Sequence, residues 1–139
     1  MPEVSHTAYD MISNMTPKLR PGAFVFVTFT DPAVAASYQG EAISTFREAE
    51  GMSMILPVAL AETAGFDTDH PMRCITLNVY SSLDGVGLTA AVSGALGDQG
   101  IACNMVAAYH HDHVFVPSEL CDQAMQVLTA LQSRVAEAR

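Results

Sequence analysis

Two short segments of the sequence contain the residue types that could do chemistry. The first, residues 85–90, reads Gly-Val-Gly-Leu-Thr-Ala and matches the G-x-G-x-x-A pattern of dinucleotide-binding loops. We reject that interpretation because the preceding strand ends near Tyr80, several residues too early, and because a dinucleotide-binding domain needs a larger parallel sheet. Glycines at a helix start still expose backbone N–H groups, so the segment predicts a site for a small anion such as a carboxylate. The alternative is that Gly85 and Gly87 only permit a tight turn.

The second segment, residues 109–113, is a polar run with three histidines and one aspartate in an otherwise apolar half. These are residue types that bind zinc. However, side chains alternate between faces in a strand–turn–strand, so we expect His110 and His111 to diverge. A solvated turn, with Asp112 as the turn former, is the plainer interpretation. A third interpretation places Asp112 in a ligand site, where it would pair with a cation.

Catalytic chemistry is not indicated by the remaining reactive residues. Cys103 or Cys121 could be paired with a histidine as nucleophile and base. All three cysteines, Cys74 included, lie on apolar periodic segments without a CxxC spacing, where a buried, reduced thiol is the ordinary expectation. We therefore expect no enzymatic activity, no cofactor and no bound metal.

The charge composition argues against several classes of partner. The chain has 139 residues, of which 15 are acidic and 6 are Lys or Arg, and its formal net charge is −9. Since no basic cluster occurs, neither nucleic acid nor an anionic membrane surface is an expected partner. No segment is apolar enough to span a bilayer, and the N-terminus lacks a basic-then-apolar signal pattern. We expect a cytoplasmic protein.

The elements that must position these segments are clearest in the second half. Residues 72–80 alternate between apolar and polar, which predicts a strand with one face in the core. Apolar residues then recur at helical spacing from Leu88 to Leu96. The predicted order is strand 72–80, a helix from Leu88, strands 101–109 and 114–116 around a turn at His111 and Asp112, and a last helix capped by Ser118. This is the β-α-β-β-α order of a ferredoxin-like split βαβ unit without its last strand.

The first half repeats this order in degraded form. The predicted elements are a helical pattern over residues 7–19, a strand at 23–30, a short helix after Asp31 and Pro32, a hairpin over 42–56 and a brief helix at 57–64 ending at Gly65. We therefore predict an α+β fold of two ferredoxin-like βαββαβ halves, residues 1–68 and 69–139, with an antiparallel sheet and helices on one face. A sheet covered on one side leaves a face or an edge free, so we expect a homodimer.

Particular residues carry a resemblance to a known family. The loop Ser-Ser-Leu-Asp-Gly-Val-Gly-Leu-Thr at 81–89 and the Asp-His-x-x-Val-Pro hairpin at 112–117 resemble the ACT domain. Residues 21–26 and 45–51 look like the first half of the same family. The chain is similar to small bacterial proteins with two tandem ACT-like halves, in an arrangement like that of the CASTOR arginine sensors. The resemblance covers about residues 15–131.

The resemblance implies regulation through a small-molecule ligand, commonly an amino acid in ACT domains. It places the ligand on the loop after the first strand, where backbone N–H groups would hold a carboxylate. Asp112 would then be the acidic partner of a basic side chain, and Asn104 would bind the amino group. The implied ligand-binding residues are Leu83, Asp84, Gly85, Val86, Gly87, Leu88, Asn104 and Asp112. Because no enzyme or DNA-binding domain is fused to these halves, a separate regulated protein is expected.

Two alternatives remain open. A metal-binding module would use His110, His111, Asp112 and His113. A protein-interaction unit without any small ligand would instead bind its partner through the free face of the sheet.

Overall fold

The computed structural model describes residues 7–79 and 87–137. Contacts divide the chain into two units. Gly22–Met72 form the unit that we call the central unit, after its place in the sequence. Residues up to Pro21 group with those from Arg73 onward, and we call this the terminal unit. The division expected between residues 68 and 69 stays a prediction for the two halves of the sequence.

The helices and strands follow the predicted order. They are α1 (Ala8–Ser13), β1 (Pro17–Leu19), β2 (Phe24–Phe29), α2 (Pro32–Gln39), β3 (Ser44–Arg47), β4 (Met52–Pro57), α3 (Val58–Thr63), β5 (Met72–Leu77), α4 (Leu88–Asp98), β6 (Asn104–Ala107), β7 (Asp112–Pro117) and α5 (Cys121–Glu137). A 3₁₀ turn, Ser118–Leu120, leads into α5.

Three antiparallel strands form the sheet of the central unit. β4 lies in the middle, with β2 on one side and β3 on the other. Phe24 of β2 also pairs with Met72. The helix-facing side of this sheet is apolar because β-branched and aromatic residues alternate along β2. Its core residues are Val25, Phe29, Ala35, Met54, Leu56 and Ala61.

The two helices of the central unit begin and end as the sequence predicts. The Asp31 carboxylate accepts a hydrogen bond from the Ala33 N–H at 2.9 Å, and Pro32 occupies the first turn of α2. This is the expected N-cap followed by proline. After α3, Gly65 has a φ of 87°, a left-handed conformation that glycine adopts without a steric penalty.

The terminal unit is a second ferredoxin-like arrangement. Its strands lie in the order β1–β5–β7–β6. β1 runs antiparallel to β5, with Pro17 opposite Leu77 and Leu19 opposite Ile75. It thereby fills the place of the last strand, which the sequence of this half lacks. The prediction of an α+β fold with two ferredoxin-like halves is confirmed.

The helical prediction over residues 7–19 is wrong in its second part. α1 ends at Ser13, where the Asn14 side chain donates to the Asp10 carbonyl at 2.8 Å. Pro17 then begins β1. The local pattern could not predict this strand because three residues become a strand only by pairing with β5, more than fifty positions further along the chain.

The core of the terminal unit lies between one face of its sheet and three helices. On β5, Ile75 and Leu77 are completely buried, as the alternation predicts. Helix α4 contributes Leu88, Val92 and Leu96, and helix α5 contributes Ala124 and Leu128. Burying each such leucine contributes about 1.5–3 kcal/mol to folding.

The predicted cap of the last helix is wrong. Pro117 occupies the N-cap position before the 3₁₀ turn, and no side chain caps it. The Ser118 hydroxyl is buried and has no hydrogen-bond partner among the described residues. A serine next to an apolar run therefore resembled a cap, whereas the backbone enters the helix through a tighter turn.

Within residues 7–79 and 87–137, none of the helices combines the length and hydropathy that crossing a membrane requires.

Candidate functional site

The predicted ligand loop connects the end of β5 to the start of α4. Leu83, Asp84, Gly85 and Val86 lie outside the described residues, so their part in a site stays a prediction. The described residues show what stands at both ends of the loop and which hairpin lies beside it.

Gly87 stands immediately before α4 and must be a glycine. Its φ is 109°, and a Cβ atom built there would lie 2.6 Å from the Cβ of Ala8. Both the left-handed backbone and the close approach of α1 therefore exclude a side chain. No side chain caps α4. The free N–H groups of its first turn and the positive end of its dipole suit an anion.

Leu88 contributes packing rather than a ligand contact through its side chain. It is only 3% exposed and belongs to the core of the terminal unit. What Leu88 can offer to a ligand is its backbone N–H.

Asp112 lies in a strand rather than in the turn. It is the first residue of β7 and pairs with Ala107. The turn precedes it, closed by the Ala108 N–H donating to the His111 carbonyl at 3.0 Å. The prediction of Asp112 as the turn former is wrong because the hairpin is tighter than expected and begins its return strand earlier.

Two histidines hold the end of this hairpin against β5. The Nδ1 atom of His111 lies 3.2 Å from the Val79 carbonyl oxygen, and Nδ1 of His113 lies 2.9 Å from Oγ1 of Thr76. Since a carbonyl oxygen only accepts, the His111 bond requires a proton on Nδ1. These contacts place Asp112, between the two histidines, beside the residue from which the ligand loop departs.

The environment of Asp112 favours a cationic partner. Burial raises the pKa of its carboxyl above the ordinary value, and the charge of His111 acts in the opposite direction. A partly dehydrated carboxylate gains more from a bound cation than a fully solvated one.

Asn104 is not brought together with Asp112. It pairs with Phe115, three positions along the hairpin from the Ala107–Asp112 pair, which is about 10 Å at 3.3 Å per residue. Asn104 shares the face of Phe115, whereas Asp112 shares the opposite face with Val114. The two side chains therefore lie on different sides of the sheet.

The geometry does not gather the histidines into a metal site. His110 is exposed and packs edge-on against Tyr109, with ring centroids 5.1 Å apart, whereas His111 points to Val79. Their predicted divergence is confirmed. Among the described residues, no three His, Cys, Asp or Glu side chains are arranged to hold a metal ion.

The cysteines have the environment of structural thiols. Cys74 and Cys121 are buried, Cys103 is half-buried, and all three are free. Burial raises the pKa of the Cys74 and Cys103 thiols. A raised pKa disfavours the nucleophilic thiolate.

Sequence reasoning missed His111 and His113 as anchors. Their spacing of two residues, which puts both side chains on one face of a strand, was the available signal. Which strand they would meet depended on the sheet order.

Comparison with known proteins covers nearly the whole chain. Two models of the ACT domain match in tandem, one over residues 9–73 and the other over residues 69–130. No curated protein matches this sequence.

Solved structures show the same fold. A Vibrio cholerae protein of unknown function, described as a possible transport protein, is 39% identical with a TM-score of 0.77, covering 87% of this chain and 92% of that one. An Agrobacterium tumefaciens protein is 19% identical with a TM-score of 0.63, covering 84% and 87%. The regulatory subunit of aspartate kinase from Thermus flavus is 12% identical with a TM-score of 0.55, covering 84% and 96%. At these identities the last two show the fold alone.

Proposed function

The chain belongs to the ACT domain family, with two such domains in tandem, and on that premise we propose that it is a regulatory protein without catalytic activity that binds a small molecule. The proposed ligand class is an amino acid. The similar fold of an aspartate kinase regulatory subunit supports the regulatory part of this proposal.

The observation that carries the proposal is the hydrogen bond between His111 and Val79. It brings the half-buried Asp112 to the start of the loop that ends at Gly87. One side of this region thus offers a carboxylate, and the other offers the uncapped N-terminus of α4. An amino acid presents the complementary charges, because its carboxylate suits the helix start and an ammonium or basic side chain suits Asp112.

The loop residues complete the proposed site. Leu83, Asp84, Gly85 and Val86 would surround the ligand, and the N–H groups that follow Gly87 would hold its carboxylate. Asp112 would select ligands with a cationic side chain. Asn104, on the other face of the sheet, is left out of this pocket.

The assembly belongs to the proposal as well. We expect a homodimer, because β6 is an edge strand of the terminal unit and edge strands present unpaired backbone groups. A cytoplasmic location and a separate regulated protein complete the proposal. Light scattering coupled to size-exclusion chromatography would measure the mass, and a strictly monomeric chain would contradict the dimer.

Thermal unfolding of the intact chain with each standard amino acid tests the ligand. A ligand present at about 100 times its Kd adds ~2.7 kcal/mol of stability, so at least one amino acid should raise the Tm clearly. The carboxamide of that amino acid should raise it much less, because the helix start favours an anion. No change with any amino acid would contradict the proposed ligand class.

A further inference from the structure

The central unit contains a cavity of about 510 Å³. It lies where three features meet: the end of β2 at Phe29, the start of α2 at Pro32 and the turn between β3 and β4. The volume falls within the roughly 300–1,000 Å³ of small-molecule sites. In chain order, these are a strand end, a helix start and a hairpin turn, the same kinds of element that surround the proposed site of the terminal unit.

A row of three side chains across the sheet gives this cavity an apolar wall and one cationic end. Arg47 pairs with Met52, and Met52 pairs with Phe29 on its other side. Paired residues share a face, so the three side chains follow one another at about 4.8 Å per strand. Phe29 is buried in the core and Arg47 is exposed on the outer strand. Arg47 is the one cation among the lining residues.

Two carboxylates stand at the turn beside Arg47. Glu48 accepts a hydrogen bond from the Ser53 hydroxyl, which orients its carboxylate. Glu50 is exposed at the tip of the turn and also lines the cavity. The mouth of the cavity therefore offers a positive and a negative group side by side, above an apolar wall.

The start of α2 differs from that of α4 in a way that decides where a carboxylate can bind. The Asp31 side chain already accepts from the Ala33 N–H, so an acidic group occupies the positive end of the helix dipole. A second anion would be repelled there. Arg47 is left to receive an anionic group of the ligand, while Glu48 and Glu50 suit a cationic one.

We propose that this cavity is a second ligand site, which takes a zwitterionic amino acid with an uncharged apolar side chain of the size of leucine or methionine. The carboxylate binds Arg47, the ammonium group faces Glu48 and Glu50, and the side chain packs against Phe29 and Met52. This inference rests on the proposed function, since it extends amino-acid binding to the central unit. It also gives the two halves different preferences, apolar here and basic beside Asp112.

Calorimetric titration of the intact chain tests this with three probes: L-leucine, L-leucinamide and 4-methylpentanoate. The last two lack one charge each. Leucine should bind, and both analogues should bind about tenfold more weakly or worse, because each leaves a charged group of the mouth without its partner. Equal affinity for all three probes would overturn the assignment of charges.

Matched variants locate the binding. Ala36 lines the cavity and is exposed, so Ala36→Phe should fill the mouth and abolish leucine binding. Ala33→Phe, on an exposed position of the same helix outside the lining, should leave it unchanged. Arg47→Gln should weaken leucine binding about tenfold or more, whereas Arg134→Gln on α5 should have no effect.

Failure of this inference is distinguishable from failure of the proposed function. If leucine binding survives both Ala36→Phe and Arg47→Gln, the cavity is not its site. If the chain binds only amino acids whose affinity depends on Asp112, the proposed function stands and the second site is wrong. If no amino acid binds at all, both are wrong.

Discussion

The Oγ1 atom of Thr76 lies 2.9 Å from Nδ1 of His113, on neighbouring strands β5 and β7 of the terminal unit. Thr76 is only 8% exposed, and buried hydroxyl groups are nearly always hydrogen-bonded. Together with the bond from His111 to Val79, this contact fixes the hairpin that presents Asp112. The position of the proposed acidic group thus depends on two histidines that do not contact the ligand in this account.

The pH dependence of stability should report on His113. Burial lowers the pKa of His113, and the nearby charges of Arg20 and His111 lower it further. The unfolded chain, with an ordinary histidine pKa of about 6.5, therefore binds the proton more readily than the folded chain. Stability should be fully present above about pH 6.5 and should decrease as the pH falls through the unfolded and then the folded pKa.

Urea unfolding at about pH 7.5 and about pH 5.5 measures this effect, since His113 changes charge within that range. The loss of stability towards acid should be smaller for His113→Gln than for the wild type. His110→Gln, at an exposed position, is the matched control and should leave the loss unchanged. An equally steep loss in His113→Gln would show that His113 is not its source.

Gly87 and Gly94 should respond in opposite directions to alanine. Gly87→Ala forces a left-handed backbone and a clash with Ala8, and should destabilise the protein by about 1–3 kcal/mol. Gly94 lies inside α4 with open space around it, so Gly94→Ala should stabilise by roughly 0.5–1 kcal/mol. Chemical denaturation of both variants would check this. Equal effects would mean that α1 does not approach Gly87 closely.

Gly51 provides a parallel test in the central unit. A Cβ at Gly51 would lie 2.6 Å from the backbone oxygen of Phe29, so Gly51→Ala must displace the turn that carries Glu48 and Glu50. We expect a loss of about 1–3 kcal/mol in urea unfolding. Gly40, at the end of α2, has open space and a φ of −67°. Gly40→Ala should be neutral or slightly stabilising, and the same loss at both positions would contradict the tight approach.

Ser118→Ala separates a capping role from a buried, unpaired hydroxyl. Loss of a true N-cap serine would cost about 1 kcal/mol. Because the Ser118 hydroxyl has no partner among the described residues, we expect the variant to be as stable as the wild type or more stable. A loss near the capping value, measured by thermal unfolding, would restore the capping interpretation.

The elements that sequence reasoning predicted correctly are those whose signal is local. Alternation exposed the buried face of β5, and helical spacing gave the stripes of α4 and α5, because these periods follow directly from backbone geometry. Asp31 and Pro32 marked the start of α2 through a cap that involves only neighbouring residues.

The features that it missed depend on contacts between distant segments. β1 exists because it pairs with β5, and Ser118 lies next to a helix whose first turn has another geometry. Asp112 could be nominated by resemblance. Its place beside Val79, however, depends on the order of strands and on His111, which no local pattern encodes. The cavity beside Arg47 likewise requires the register of three strands.

The central claim is that an amino acid binds between the start of α4 and Asp112. The most direct test is the amide NMR spectrum of the intact chain while each standard amino acid is added singly. The account predicts that at least one amino acid shifts the signals of Gly87, Leu88 and Asp112, and that a basic one loses this effect in Asp112→Asn. If no amino acid moves these signals, the claim is wrong.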